Sequence, residues 1–139
     1  ALAGIAVRPP PLEAAASPEE EYPGPLDPAV VANLQAWERE GYLSLAEFSQ
    51  VFAEDAGRRL AALQQAVGDG DGARVKQEAH ALKGASRELG AGWLASLCGR
   101  VEELGSAGSL DQVEVWLDAV RSEVTRVNAA LAQLQAVAP

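Results

Sequence analysis

Hydrophobic residues recur every three or four positions along most of this chain, which is the spacing that gives an α-helix one apolar face. The clearest series lies towards the C-terminus and consists of Leu110, Val113, Leu117, Val120, Val124, Val127, Leu131 and Leu134. A second series contains Leu45, Phe48, Phe52, Leu60, Leu63 and Val67. No segment of the sequence shows the strict alternation of a half-buried strand. The pattern therefore predicts an all-α protein.

Capping residues and glycines divide this pattern into one short and four long helices. Asp27 followed by Pro28 predicts the start of the short helix, which Gly41 ends. Its apolar face is expected to consist of Val30, Val31, Leu34 and Trp37. Two capping boxes mark the starts of the second and last helices, Ser44 with Glu47 and Ser109 with Gln112. Between them, a third helix is predicted at about 73–89 and a fourth at about 93–104.

Long amphipathic helices with short connections favour an antiparallel up-and-down four-helix bundle. We expect this bundle to cover residues 26–137, with the short first helix as an N-terminal lid across one end. Because four helices close a core by themselves, the domain is predicted to be monomeric. Residues 1–25 are rich in proline, alanine and acidic residues, and are predicted to be a linker or tail.

Composition excludes several classes of protein. The 139 residues suit one domain, and their net charge of −9 argues against a nucleic-acid binder. No apolar run is long enough to cross a bilayer, and the first residues lack the basic flank of a signal peptide. The single cysteine, Cys98, cannot form an internal disulfide and is interpreted as a small core residue. A cytoplasmic location is expected, either free or tethered within a membrane sensor kinase.

The lone histidine, His80, lies in an unusual stretch of the third helix. On a helical wheel the residues on its side are Lys76, Gln77, Lys83, Gly84 and Arg87. This side faces away from the apolar stripe, so burial does not explain His80. Between Arg74 and Arg87 the only acidic residue is Glu78. Such local positive charge suits a small anion or an acidic partner, although ordinary solvated helix charges explain it equally well.

Gly84 and Lys83 strengthen the functional interpretation of His80. A glycine inside a helix costs about 1 kcal/mol relative to alanine, so its presence one turn from His80 needs a reason. The absent side chain leaves room beside the imidazole for a phosphoryl group and an incoming protein. Lys83, at i+3, is near enough for its ammonium group to contact a phosphate on the ring.

The stretch resembles the signature of histidine phosphotransfer (HPt) domains, which is roughly His-x-x-Lys-Gly, then small residues and a Gly-Ala pair. The matching residues are His80, Lys83, Gly84, Ala85, Ser86, Gly90 and Ala91, and the likeness extends from about Leu26 to Leu134. The resemblance implies that His80 takes a phosphoryl group from an aspartyl phosphate of a receiver domain and passes it to another. It also implies that a divalent metal, Mg²⁺, comes from the receiver, since this chain shows no ligand cluster and needs no cofactor of its own.

Within that resemblance each residue of the stripe has an expected role. His80 is the phosphoacceptor, while Lys83, Gly84 and Gln77 stabilise the phosphate or give access to it. Lys76 and Arg87 are expected to orient the partner, and ordinary surface charge remains an alternative for both. No nucleotide-binding loop or second catalytic acid or base is recognisable, so the domain is expected to be a phosphoryl carrier without catalytic activity of its own.

Several alternatives remain open at the level of the sequence. The domain is expected to be either the terminal module of a hybrid sensor kinase or a free-standing protein. It can also be a chemotaxis-type module phosphorylated by a kinase, or a helical docking module that accepts no phosphate. A calcium loop at residues 68–72 is disfavoured, because Ala73 and Arg74 occupy later ligand positions. A haem or metal bundle lacks enough ligands.

Overall fold

The computed structural model describes residues 24–137, and this part of the chain forms five helices and no strand. The helices are α1 Pro28–Arg39, α2 Leu45–Gly68, α3 Gly72–Glu88, α4 Gly92–Ala107 and α5 Leu110–Val137. The all-α prediction is confirmed, with helix ends within a few residues of those expected. None of the described helices is long and apolar enough to span a membrane. The predicted linker at residues 1–25 lies almost entirely outside the described residues.

Side-chain caps fix the starts of three helices. Asp27 Oδ1 accepts a hydrogen bond from the backbone N–H of Ala29 at 2.8 Å, and Ser44 Oγ accepts one from Glu47 at 3.2 Å. Asp71 Oδ1 accepts from the N–H of Arg74 at 3.1 Å. These contacts satisfy backbone donors that have no partner inside the helix. At the start of α5, Gln112 N–H instead donates to the backbone carbonyl of Ser109 at 3.1 Å.

The turn between α3 and α4 anchors α1. Gly90 has a φ of +78°, and a Cβ at this position would lie 2.7 Å from the Cβ of Val30. Both the backbone conformation and the close approach of α1 therefore require glycine. The backbone N–H of Asp27 donates to the Gly90 carbonyl at 2.8 Å, which fixes the start of α1 to this turn. Trp37 does not share the inward face predicted for it, since 49% of its surface is exposed.

One hydrophobic core joins the four long helices. α2 packs against α3 and α5, and α4 packs against the same two helices. The buried residues are those of the periodic series, with Leu63 on α2, Leu82 on α3, Val101 on α4 and Leu117 on α5 as examples. The core is mainly aliphatic, with Phe52 and Trp116 as its buried aromatic residues, so each helix is fixed by the residues that its apolar face presents.

α3 and α4 approach each other more closely than ordinary side chains permit. A Cβ on Gly72 would lie 2.6 Å from the carbonyl oxygen of Gly105. A Cβ on Gly105 would lie 2.7 Å from Val75 Cγ1 and 3.0 Å from the backbone nitrogen of Lys76. The start of α3 thus meets the end of α4, and this pair of helices is antiparallel. Glycine at both positions sets the spacing and the register of the pair.

Replacing Gly105 by alanine is expected to destabilise the domain. The steric cost of overpacking, about 1–3 kcal/mol, opposes a gain in helix propensity of about 1 kcal/mol. Two of the three closest atoms belong to the backbone and cannot rotate away. Urea denaturation of Gly105→Ala should therefore give a lower free energy of unfolding than wild type. Gly57→Ala, in open space on α2, is the control and should not destabilise. Equal stability of Gly105→Ala and wild type would contradict the close contact.

One carboxyl group is buried on α5. The Glu123 side chain is only 5% exposed, and Arg126 Nη1 lies 3.5 Å from its Oε1. Burial raises the pKa of the Glu123 carboxyl to about 7, because removing the group from water penalises its charged form. The folded protein therefore keeps the Glu123 proton over a pH range in which the unfolded chain has released it.

The stability of the domain should consequently fall as the pH rises from about 4.5, the ordinary pKa of glutamate, to about 7. Glu123→Gln removes this titration, so its free energy of unfolding relative to wild type should increase over the same interval by roughly 1–3 kcal/mol. Urea denaturation at pH 5 and pH 8 measures the difference. Glu103→Gln, which changes an exposed carboxylate, serves as the control. A pH-independent difference between Glu123→Gln and wild type would refute the raised pKa.

Candidate functional site

His80 lies on the outer face of α3. Its side chain is 69% exposed, whereas Ala79 and Leu82 beside it are fully buried in the core. The buried Ser86 also belongs to the inward face, where its Oγ donates to the Leu82 carbonyl at 2.7 Å. The apolar stripe of α3 therefore fixes the direction in which the imidazole points, which is away from the core.

The imidazole is held from one side by a residue of α4, Glu102. His80 Nδ1 lies 2.9 Å from Glu102 Oε2, and Lys83 Nζ lies 2.6 Å from Glu102 Oε1. One carboxylate thus contacts both polar residues of the motif, one through each oxygen. The side chains of Glu102 and Lys83 are 17% and 19% exposed, so the pair lies largely beneath the surface on which His80 stands.

The electrostatics of this cluster favour an ionised Glu102. The hydrogen bond from Lys83 is the main cause that lowers the pKa of the Glu102 carboxyl, and the contact with His80 lowers it further. Partial burial acts in the opposite direction without cancelling these effects. A negative charge is therefore fixed beside Nδ1 at neutral pH.

Glu102 is the site residue that the sequence reasoning missed. It is separated from His80 by 22 positions, and sequence proximity suggested Glu78 as the acidic neighbour of the motif. Glu78 instead faces α2, where its Oε1 accepts from Arg59 Nη1 at 2.9 Å. Among the cations of the stripe, Lys83 therefore pairs with Glu102 of α4 and not with Glu78. A signal was present, because His80 lies ten residues before Gly90 and Glu102 twelve after it, which puts them at similar heights in an antiparallel pair.

Two glycines shape the space around the cluster. A Cβ on Gly84 would meet no atom within 4 Å, so packing inside the domain does not require glycine there. A Cβ on Gly99 of α4 would lie 3.6 Å from Lys83 Cδ, an ordinary contact that places the lysine stem along α4. The open surface at Gly84 lies one helical turn from His80. The Lys83 side chain runs along α4 to reach Glu102.

The other residues of the predicted stripe are exposed on α3. Gln77, Lys76 and Arg87 all lie at the surface, and their side chains form no ion pair within the described part of the chain. Cys98 is buried, and its burial raises the pKa of the thiol to about 12, which suits a core residue and not a nucleophile. Among residues 24–137 no group of three or more His, Cys, Asp or Glu side chains is arranged to hold a metal ion.

Comparison with known families decides what kind of domain carries this site. The family model of the Hpt domain matches residues 47–136, which include α3, α4 and nearly all of α2 and α5. The chain belongs to the Hpt domain family. The family model thus agrees with the resemblance carried by the motif around His80.

A solved structure supports the same assignment of this Hpt domain. This chain is similar to the crystal structure of the histidine-containing phosphotransfer protein B (HptB) from Pseudomonas aeruginosa PAO1, with a TM-score of 0.72 and 30% sequence identity. The match covers 82% of this chain and 97% of the HptB chain. Among curated proteins no significant match is found.

The family assignment defines the general function of the domain. It is a phosphotransfer carrier of two-component phosphorelays, and its partners are response-regulator receiver domains. Since the motif residues and Glu102 lie together on one surface of α3 and α4, that surface is the candidate site of phosphoryl exchange.

Proposed function

We propose that His80 is the phosphoacceptor and that its Nε2 atom takes the phosphoryl group from an aspartyl phosphate of one receiver domain and delivers it to another. The observation that carries this proposal is the position of the chain's one histidine. Its ring is 69% exposed on α3, and its Nδ1 is occupied by Glu102. Nε2 is therefore the ring nitrogen that remains accessible to the phosphoryl group of a partner.

The transfer is an in-line displacement at phosphorus. The lone pair of Nε2 forms the N–P bond while the P–O bond to the aspartyl carboxylate breaks, and the carboxylate leaves with the electron pair. The reverse step returns the phosphoryl group to an aspartate of the next receiver. Charge on the transferred group must be neutralised. Mg²⁺ held by the receiver supplies most of this neutralisation, and Lys83 contributes the ammonium group from this chain.

The surface around His80 suits a partner with an acidic site. An aspartyl phosphate and the carboxylates that hold Mg²⁺ together make a negatively charged face. Lys76 and Arg87 are exposed cations on the side of α3 that His80 occupies, so they favour the approach of such a face. Gly84 leaves the space that the incoming domain needs, and Gln77 offers an amide to the phosphate or the ring.

The proposed scaffold for this exchange is an up-and-down four-helix bundle of α2–α5 with α1 as a lid. The packing of α2 and α4 against both α3 and α5 supports the bundle, and the contact of α1 with Gly90 supports the lid. A core closed by four helices needs no second copy, so the domain acts as a monomer. A parent hybrid histidine kinase as donor remains a prediction.

Replacement of His80 by glutamine tests the phosphoacceptor. Incubation with a ³²P-labelled receiver and Mg²⁺ should label the wild-type domain with a phosphate that is stable to base and labile to acid. His80→Gln should take no label, because its amide is not a nucleophile, while retaining the helical circular dichroism of wild type. Labelling of His80→Gln at the wild-type rate would overturn the assignment.

Replacement of Gly84 by alanine separates access from stability. Since the added methyl group meets nothing inside the domain, the free energy of unfolding should rise by up to about 1 kcal/mol. The rate of transfer from a phosphorylated receiver should nevertheless fall by roughly tenfold or more, because the methyl group holds the partner away from Nε2.

Gly57→Ala on α2 is the matched control for Gly84→Ala. Gly57 is also helical, exposed and in open space, so alanine should stabilise the domain similarly. It lies two residues, or about 200° around the helix, from Arg59, whose side chain faces α3. Transfer to Gly57→Ala should therefore proceed as in wild type. Equal transfer rates for the two alanine variants would show that space at Gly84 plays no part in docking.

A further inference from the structure

We propose that Arg87 binds the phosphoryl group carried by His80, with its guanidinium group extended over the empty surface at Gly84. This inference rests on the proposed function of His80 and adds a contact with the transferred group itself to the orienting role of Arg87. Arg87 follows His80 by seven residues, which places the two side chains two turns apart and only about 20° apart around α3. Gly84 lies between them, and a Cβ there would meet no atom of the described residues within 4 Å.

The direction of helical side chains distinguishes the two exposed cations on the face of His80. Long side chains on a helix lean towards its N-terminus and cover the turn before their own Cα. Lys83 shows this direction in the structure, since it follows His80 by three residues and yet contacts the same carboxylate as the imidazole. Arg87 also follows His80, so its side chain leans over Gly84 towards the ring. Lys76 precedes His80, so its side chain leans away.

The charge balance of the site calls for a second cation beside Lys83. Lys83 Nζ lies 2.6 Å from Glu102 Oε1, and this contact lowers the pKa of the Glu102 carboxyl, so the pair carries one positive and one negative charge. A phosphoryl group on His80 adds roughly two negative charges to the exposed face of α3. Because Lys83 is shared with Glu102, it offsets only part of that charge. Arg87 is the exposed cation that leans towards it.

Arg87 is available for this contact. It is exposed and forms no ion pair within residues 24–137. The residues three and four positions away on either side are Lys83, Gly84, Gly90 and Ala91, none of which is acidic, so no neighbour along α3 competes for the guanidinium group. A guanidinium group offers two parallel N–H donors that match two oxygens of a phosphoryl group. At an exposed position such a contact is weak enough to break when the phosphoryl group moves on.

A contact with the phosphoryl group and a contact with the receiver affect transfer differently. A side chain that touches only the receiver changes the forward and reverse rates by the same factor, because the contact exists only in the complex. The equilibrium constant between the free proteins is then unchanged. A side chain that binds the phosphoryl group on His80 stabilises the phosphorylated domain, and this moves the equilibrium towards it.

The equilibrium constant for transfer from a phosphorylated receiver is therefore the first measurement. Arg87→Ala should shift it towards the receiver by roughly two- to fivefold, the effect of one exposed charge pair. Lys76→Ala, which removes one positive charge from the same face, is the matched control and should slow transfer without changing the equilibrium constant. Arg87→Lys keeps a cation in the last turn of α3, where the helix dipole favours it, but lacks the paired donors. Its equilibrium constant should lie between those of wild type and Arg87→Ala.

Nitrogen NMR of the phosphorylated domain supplies a readout that needs no receiver. Potassium phosphoramidate is the donor: Nε2 of His80 forms the bond to phosphorus, the P–N bond of the donor breaks, and ammonia leaves. The Nε–H signal of Arg87, identified by its absence from Arg87→Lys, should shift when His80 is phosphorylated. The signal of Arg58, which contacts Asp55 on α2, should stay in place. Phosphorylated Lys76→Ala should show the same shift at Arg87 as wild type.

The outcomes separate this inference from the proposed function. Equal equilibrium constants for wild type and Arg87→Ala, or an Arg87 signal that does not move on phosphorylation, would overturn the contact while leaving His80 as the phosphoacceptor. If no receiver labels the domain, the proposed transfer between receivers is overturned, and the spectrum of the phosphoramidate-treated domain still decides the role of Arg87. Failure of both donors to phosphorylate His80 would overturn both proposals. Circular dichroism should be the same for all variants, since Lys76 and Arg87 are exposed.

Discussion

The close antiparallel contact between α3 and α4 is the constraint on which the rest of the site depends. Gly72 and Gly105 bring the two backbones so near that a methyl group on either would collide with the other helix. This contact fixes the register, and the register brings Glu102 level with His80 and Lys83. A slip by one residue would rotate the carboxylate by about 100° around α4 and remove it from the imidazole. Packing of small residues thus determines the geometry of the polar cluster.

The cluster also shows how a phosphotransfer carrier can prepare a reaction. The histidine is presented on a rigid helix, its orientation is held by one carboxylate, and the space beside it is empty. In the proposed function, the partner brings the labile phosphoryl group and the metal. This division is reasonable for a carrier, because the nucleophile must exchange phosphate in both directions and with more than one receiver. Stabilising the phosphorylated histidine too strongly would prevent its onward transfer.

Different residues of the domain are explained by stability and by function. Glu123 is buried on α5, and the cost of removing its charge from water is a stability effect on a different helix from the one that carries His80. Gly84 lowers helix stability without any compensating contact inside the domain, which is the pattern expected where a partner uses the space. Gly105, by contrast, is required by the packing of α3 on α4. The structure therefore gives different physical reasons for glycines that look alike in the sequence.

The sequence by itself determined the helices and the direction of His80, because both follow from periodicity within a few turns. The caps at Asp27 and Ser44 and the apolar series were sufficient to predict where α1 and α2 begin. The exposed aromatic ring of Trp37 was not predictable, since it depends on how α1 lies against the turn at Gly90. Only the tertiary structure decided that Glu102 joins His80 and Lys83, whereas Glu78 turns to α2. Which charges meet across two helices depends on the register set by side-chain packing, and periodicity along one helix carries no information about that register.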